Sequence, residues 1–373
     1  MEAVCYNSSM IDIATSTESS LSRLPDPLLH WYRANARDLP WRHTDNPYPI
    51  WVSEIMLQQT RVAAVLGYYG RFLAAFPTVR ALADAPEERI FKLWEGLGYY
   101  SRARNLQKAA RIITERLGGV FPQTYKDLIA LPGIGDYTAS AIASAAFGQR
   151  EPAVDGNVLR VFTRLTDCHD DIADLKIRRT VREQVGTIMP HAAADIRIFN
   201  QATMELGATV CVPGGPPKCS LCPARDFCLG RIRQTASVLP VKAPKKERRI
   251  EKKTVFLLQR EDGRIALEKR PDSGLLAGLW EFPNVSGTLD GGAAQEILSH
   301  WGLMPRDWRK RLAAKHIFTH VEWLMTGYSL SVSGTGTGNF FWANDADLDK
   351  IAVPSAFAKY LAEARSLLET PAD

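Results

Sequence analysis

Two carboxylates in this sequence are set where they could do acid–base chemistry on a sugar. Glu54 lies in Trp51-Val52-Ser53-Glu54-Ile55-Met56-Leu57-Gln58-Gln59-Thr60, among apolar neighbours. Such surroundings raise a carboxyl pKa toward what a general acid near neutrality needs. The plainer reading is a first-turn glutamate favoured by the helix dipole, with Ser53 as the cap. Asp155 stands in Val154-Asp155-Gly156-Asn157, shortly after Leu131-Pro132-Gly133-Ile134-Gly135. That tight turn joins segments that read as helices over 125–130 and 138–146. Helix, glycine hairpin, helix is a clamp for a DNA backbone. Gly133 and Gly135 supply unusual backbone angles, and the amides opening the second helix face a phosphate. A carboxylate just beyond the clamp would meet the sugar. Plainer readings exist here too, since Gly-x-Gly turns and Asp-Gly-Asn are ordinary turn chemistry.

Four cysteines, Cys211-x7-Cys219-x2-Cys222-x5-Cys228, fall within eighteen residues. Structural zinc usually shows two close pairs, and one is present here. A [4Fe–4S] cluster also takes four thiolates, so zinc and cluster both stay open on spacing alone. Cys5 and Cys168 stand apart, a distribution that suits metal ligation in a reducing compartment better than disulfides. Gly96-Leu97-Gly98-Tyr99-Tyr100-Ser101-Arg102-Ala103-Arg104-Asn105 interleaves aromatics with arginines. It suits base stacking and phosphate contact, or equally a core tyrosine beside surface arginines.

The elements that must position these residues are mostly helical up to about residue 240, with helices expected at 28–37, 62–76, 86–94 and 199–210. Residues 1–24 are Ser/Thr-rich, lack a signal-peptide pattern and read as a disordered tail. Residues 25–233 form the helical domain and 234–253 a proline-bearing basic linker. The stretch 242–253 alone supplies +5, the whole formal net charge of the chain, so no broad basic face follows from composition. From 254 to 368 the pattern turns to strands, with a hairpin at Asp262-Gly263 and a helix over 293–301. No run of about 18 apolar residues exists to span a membrane. The expected fold is a mainly α first domain followed by an α+β module.

The hairpin, the Glu54 segment and Asp155 resemble the endonuclease III superfamily of helix-hairpin-helix base-excision glycosylases. Bifunctional members carry a lysine nucleophile after the hairpin, where this chain has Tyr137. A tyrosine cannot form a Schiff base, so the resemblance points to the monofunctional adenine-glycosylase branch, the MutY family. It covers residues 25–365 and implies roles by position. Glu54 and Asp155 would be catalytic, with Tyr137 and Asn157 orienting them. Arg42 would help form the adenine pocket. Leu57, Gln58 and Gln59 would wedge into the duplex, and Tyr99 would insert at the lesion. Gly133 and Gly135 would contact DNA. Cys211, Cys219, Cys222 and Cys228 would hold a [4Fe–4S] cluster of structural role, with one residue more in the first gap than the family pattern has.

The second domain resembles a Nudix fold, whose hydrolases need several carboxylates on one helix for Mg²⁺. Here that helix offers only Glu296, which implies recognition without hydrolysis. Phe318-Thr319-His320 matches the family's Phe-Ser-His loop, which reads 8-oxoguanine. The implied activity is removal of adenine opposite 8-oxoguanine or guanine in double-stranded DNA, by a monomer, in the cytoplasm with the nucleoid if bacterial. A glycosylase/lyase acting on oxidised pyrimidines, a non-catalytic lesion binder and a nucleotide hydrolase are the competing readings. Tyr137, the Glu54–Asp155 pair and the missing helix carboxylates, respectively, speak against them.

Overall fold

The computed structural model describes residues 21–244, 247–337 and 339–369. Residues 1–20 of the tail expected over 1–24, Cys5 among them, lie outside the described residues. Leu21 and Leu24 are buried, so the packed chain begins before residue 25. Two compact units emerge. The first takes the chain up to Val65, then 78–83 and 105–244, and the second takes 66–77, 84–104 and the remainder.

The first unit is helical throughout. Helix α1 (Pro25–Asn35) starts on a proline and buries Leu28, Leu29 and Tyr32 along one face. Helix α2 (Pro47–Leu57) is started by Pro47 and by Asn46, whose side chain accepts from the Tyr48 amide at 3.0 Å. This corrects the expectation for Ser53. Glu54 sits well inside α2, and the Ser53 hydroxyl donates to the Ile50 carbonyl at 2.7 Å instead of capping. The helix dipole at an N-terminus therefore has no part in holding Glu54.

Further along run α3 (Val62–Ala75), α4 (Val79–Ala83), α5 (Glu87–Trp94) and α6 (Tyr100–Arg116), of which α5 belongs to the second unit and α3 and α6 are divided between the units. Then come α7 (Tyr125–Ile129), α8 (Asp136–Phe147), α9 (Gly156–Leu165), α10 (Leu175–Ile188), α11 (Ala193–Thr209) and α12 (Leu229–Ile232). Helices α1, α9, α10 and α11 share a core that includes Leu24, Leu28, Phe162, Phe199 and Leu206. Helix α8 is buried over most of its length, its Ala and Ser side chains letting neighbours approach closely. In the hairpin between α7 and α8 only Gly133 adopts a left-handed conformation, at φ +77°, and a Cβ there would lie 2.6 Å from Asn105 Cβ. Gly135 is extended at φ −98°, so the demand for glycine falls on one position of the pair.

The second unit holds a seven-stranded sheet. Its strands are β1 (Arg249–Arg260), β2 (Ile265–Lys269), β3 (Trp280–Glu281), β4 (Asn284–Ser286), β5 (Met304–Ile317), β6 (Val321–Ser333) and β7 (Phe341–Ala343). The order is β3-β2-β1-β6-β5, with β4 on β1 and β7 on β2. Strand β1 opens at Arg249, inside the stretch read as linker, because it runs parallel to β6 from Arg249↔Val321 onward. The apolar run of β1 alternates between two cores. Val255 and Leu257 face one, with Tyr360 of the helix Ala358–Glu369. Phe256 and Leu258 face the other, with Leu298 of α13 (Gly291–His300). A strand covered on both faces reads as continuous hydrophobicity. Helix α13 is the one expected to bear carboxylates in a Nudix hydrolase, and Glu296 is its single acidic residue.

Candidate active site

Glu54, Tyr137, Asp155 and Asn157 line one cavity of about 550 Å³ in the helical unit. Three parts of the fold bring them together. Helix α2 brings Glu54, the first turn of α8 brings Tyr137, and the start of α9 brings Asp155 and Asn157. The Tyr137 hydroxyl donates to Glu54 Oε2 at 2.7 Å. It also lies 3.2 Å from Met204 Sδ.

Burial pushes the Glu54 carboxyl up to about 7, and the Tyr137 hydrogen bond offsets part of that rise. The nearby Asp155 charge adds to it. Burial likewise holds the Tyr137 phenol far above its ordinary value, so it stays a donor. Glu54 is therefore an acid that is still half protonated near neutrality.

Asp155 is the N-cap of α9. Its Oδ1 accepts from the Asn157 and Val158 amides, both at 2.8 Å, and its Oδ2 from Asn157 Nδ2 at 2.7 Å. Burial raises its pKa, and these three donors oppose the rise. The helix end favours the anion as well. Two carboxyls in one cavity thus receive opposite treatment. Glu54 has one phenolic donor, while Asp155 has three donors and a helix N-terminus. Asn157 is itself held by Arg160, whose Nη2 donates to Asn157 Oδ1 at 2.7 Å and whose Nε donates to the Cys211 carbonyl at 2.7 Å.

Glu205 on α11 is fully buried in the cavity wall, a residue the sequence reading missed. Arg37 Nε and Nη2 grip its two oxygens at 2.7 Å each, and Arg42 Nη2 adds a third contact at 2.7 Å. Burial alone would raise its pKa, yet the bonds from Arg37 and Arg42 hold it down at about 2. The signal was present as a lone carboxylate among apolar and small neighbours in Met204-Glu205-Leu206-Gly207. Arg42, Leu57, Gln58 and Gln59 line the same cavity. Gln59 carries a positive φ of 58°, just past the end of α2.

Elsewhere the predicted residues fall into two other places. In the second unit, Phe318-Thr319-His320 forms the turn between β5 and β6, closed by Phe318 N donating to the Val321 carbonyl at 2.8 Å. The Phe318 ring packs edge-on against His316 and Trp323, at 4.5 and 4.9 Å. Thr319 Oγ1 and the Tyr99 hydroxyl share a hydrogen bond of 2.8 Å. His320 is exposed at the turn.

Cys211, Cys219, Cys222 and Cys228 line a second, small cavity of the helical unit together with Arg164, Arg225 and Arg231. Arg164 Nη1 lies 3.2 Å from Cys211 Sγ. Among the described residues no three His, Cys, Asp or Glu side chains are grouped to hold a single metal ion, although all four thiols face one space. Four thiols lining one cavity match in number the four thiolates that a [4Fe–4S] cluster takes. The extra residue of the first gap is absorbed in a loop closed by Lys218 N donating to the Val210 carbonyl at 3.0 Å, with Gly214 at φ +74°.

Residues 52–186 match the HhH-GPD superfamily of base excision DNA repair proteins, and residues 254–363 match the NUDIX domain. A solved thermostable thymine-DNA glycosylase is 28% identical, covers 58% of this chain and 99% of its own, and superposes with a TM-score of 0.53. The fold of the helical unit is thus that of a helix-hairpin-helix base-excision DNA glycosylase. Human adenine DNA glycosylase is 36% identical over 89% of this chain and 72% of its own length. The enzyme of that name from Buchnera aphidicola subsp. Baizongia pistaciae is 38% identical over 69% of this chain and 72% of its own. The chain belongs to the adenine DNA glycosylase family.

Proposed function

We propose that this protein excises adenine from double-stranded DNA, where adenine is paired with 8-oxoguanine or guanine, and leaves an abasic site. The observation that carries the reading is the Glu54–Tyr137 hydrogen bond in a cavity shared with Asp155. The adenosine is flipped out of the stack, with Leu57, Gln58 and Gln59 filling the space it leaves. Arg42 contributes to the wall of the base pocket, and Glu205, held by Arg37 and Arg42, belongs to the same wall.

Glu54 as the neutral acid gives its proton to adenine N7. The C1′–N9 bond then breaks, its electron pair leaves with the base, and the sugar takes on oxocarbenium character. Asp155 as the anion stabilises that cation or bonds to it briefly, as paired carboxylates do in glycoside hydrolysis. Glu54, now ionised, accepts a proton from the water that attacks C1′. Tyr137 holds Glu54 in place and Asn157 holds Asp155. No lysine follows the hairpin, so the abasic strand stays intact.

The second unit reads the base opposite the adenine through Phe318, Thr319 and His320, with Tyr99 beside them. The hydroxyl of Thr319 donates and accepts as a serine would. Cys211, Cys219, Cys222 and Cys228 hold a [4Fe–4S] cluster, supported by their shared cavity. A cluster held there would supply structure to the loop, from which Lys218 and Arg225 would meet DNA phosphate. The protein acts as a monomer with the nucleoid in the cytoplasm if its source is bacterial.

Single-turnover reaction with an adenine:8-oxoguanine duplex tests the reading, with products resolved before and after hot alkali. Strand breaks that need alkali are expected. Breaks without alkali would mean lyase chemistry, and an unaltered duplex in a tight complex would mean a lesion binder.

A further inference from the structure

Three arginines line the catalytic cavity: Arg37, Arg42 and Arg178. The first two are closed off by Glu205. Arg178 is different. It is exposed, so it stands where the cavity meets solvent, and its side chain has no hydrogen-bond or ion-pair partner among the described residues.

Its direction is set by the residue one turn later on the same helix. Arg182 on α10 donates to Ser140 Oγ at 3.0 Å and to the Pro152 carbonyl at 2.9 Å, and pairs with Glu151 Oε2 at 3.0 Å. Those bonds fasten one face of α10 to α8 and to the segment that leads into Asp155. Residues four apart share a helix face, so the same fastening turns Arg178 toward the cavity. The helix is fixed while the guanidinium is left unpaired.

The chemistry decides what it meets. During excision the base takes a proton and the sugar becomes cationic. An uncompensated guanidinium against either would oppose the reaction. The anionic parts of the nucleotide are its two flanking phosphates, and these stay at the mouth because the strand continues outside. A guanidinium matches a phosphate bidentately. We infer that Arg178 clasps a backbone phosphate of the extruded adenosine and so holds the nucleotide in the cavity. This inference rests on the glycosylase reading and adds a substrate-binding residue to it.

Single-turnover excision and equilibrium binding test it together. The duplexes carry adenine opposite 8-oxoguanine, with natural phosphates or with one uncharged methylphosphonate directly 5′ or 3′ of the adenosine. Arg178→Ala is expected to slow excision about tenfold or more. It should also lower the salt slope of DNA affinity by about 1, and Arg178→Lys should recover most of both. One of the two methylphosphonates should slow the native protein to a similar degree and leave Arg178→Ala no slower than before. Thermal unfolding of Arg178→Ala should match the native protein, since the side chain is exposed.

Native rate and salt slope in Arg178→Ala, or losses that add for both methylphosphonates, would overturn the assignment. If the native protein removes no adenine from any duplex, the glycosylase reading fails. The salt slopes of native and Arg178→Ala binding would then still decide whether Arg178 contacts phosphate.

Discussion

Glu54 can protonate a base only while it keeps its own proton. With its carboxyl raised by burial to about 7, the single-turnover rate should fall as pH rises through neutrality. Asp155, raised by burial but opposed by three donors, must be ionised, so the rate should fall again at acid pH. A bell-shaped profile is expected, and a rate still climbing at pH of about 9 would contradict the role of Glu54 as acid. Glu54→Gln should slow excision by about 10³-fold or more while binding persists.

The same shift has a stability consequence whose sign is fixed. A carboxyl with a folded pKa above its unfolded value favours the fold below the unfolded pKa. That contribution is lost as pH rises through the folded value. Glu54→Gln removes the burden of a buried charge, so the variant should be the more stable protein above pH of about 8, by a few kcal/mol at most. The difference should vanish toward pH of about 4. Denaturant titrations at the two pH values would check this, and a native protein that is the more stable at high pH would refute it.

At the scale of the element, α9 carries Asp155 and Asn157 and packs closely against α11. Asp155 does two jobs at the start of α9, cap and anion, and substitutions separate them. Asparagine also caps, so Asp155→Asn should keep thermal stability near native while excision is lost. Asp155→Ala should lose excision and about 1 kcal/mol as well. Equal stability of the two variants would argue against the capping role. Gly207 on α11 is where the helices touch, since a Cβ there would lie 2.6 Å from Asn157 Cβ. Gly207→Ala must displace Asn157 or α9, and excision should drop although residue 207 meets no substrate. The Glu205 ion pairs belong to this scale too, joining α11 to the segment after α1. Glu205→Ala would leave Arg37 and Arg42 without their anion and should destabilise the unit by about 3–5 kcal/mol, read as a lower midpoint in urea.

Across the whole molecule, the helical unit holds the reacting groups and the sheet unit presents the turn at Thr319. Substituting Thr319→Ala should narrow the preference for adenine opposite 8-oxoguanine over adenine opposite guanine, with the adenine:guanine rate little changed. Equal losses on both duplexes would place Thr319 outside recognition. With one carboxylate on α13, nucleoside triphosphate and Mg²⁺ should give no phosphate release. Chemical analysis of the purified protein should find about four irons and four sulfides per chain. One zinc per chain would overturn the cluster.

What the sequence determined by itself was local. The helical pattern up to about residue 240 and the turn to strands from residue 254 depend on neighbours along the chain, and so they are legible there. The glycine hairpin and the four cysteines could be read for the same reason. Tertiary structure decided the rest. Glu54 looked like a first-turn residue because Ser53 can cap, but Pro47 and Asn46 start the helix earlier. The meeting of Glu54 with Tyr137 joins residues 83 positions apart, and the closure of Arg37 by Glu205 spans 168. Neither has a local signal. The raised pKa of Glu54 exists only once the chain has closed around it, because desolvation is a property of the packed cavity and not of a residue and its neighbours. Arg178 is one more arginine in the sequence, and the fold alone shows that its neighbours on the cavity wall are neutralised while it is not.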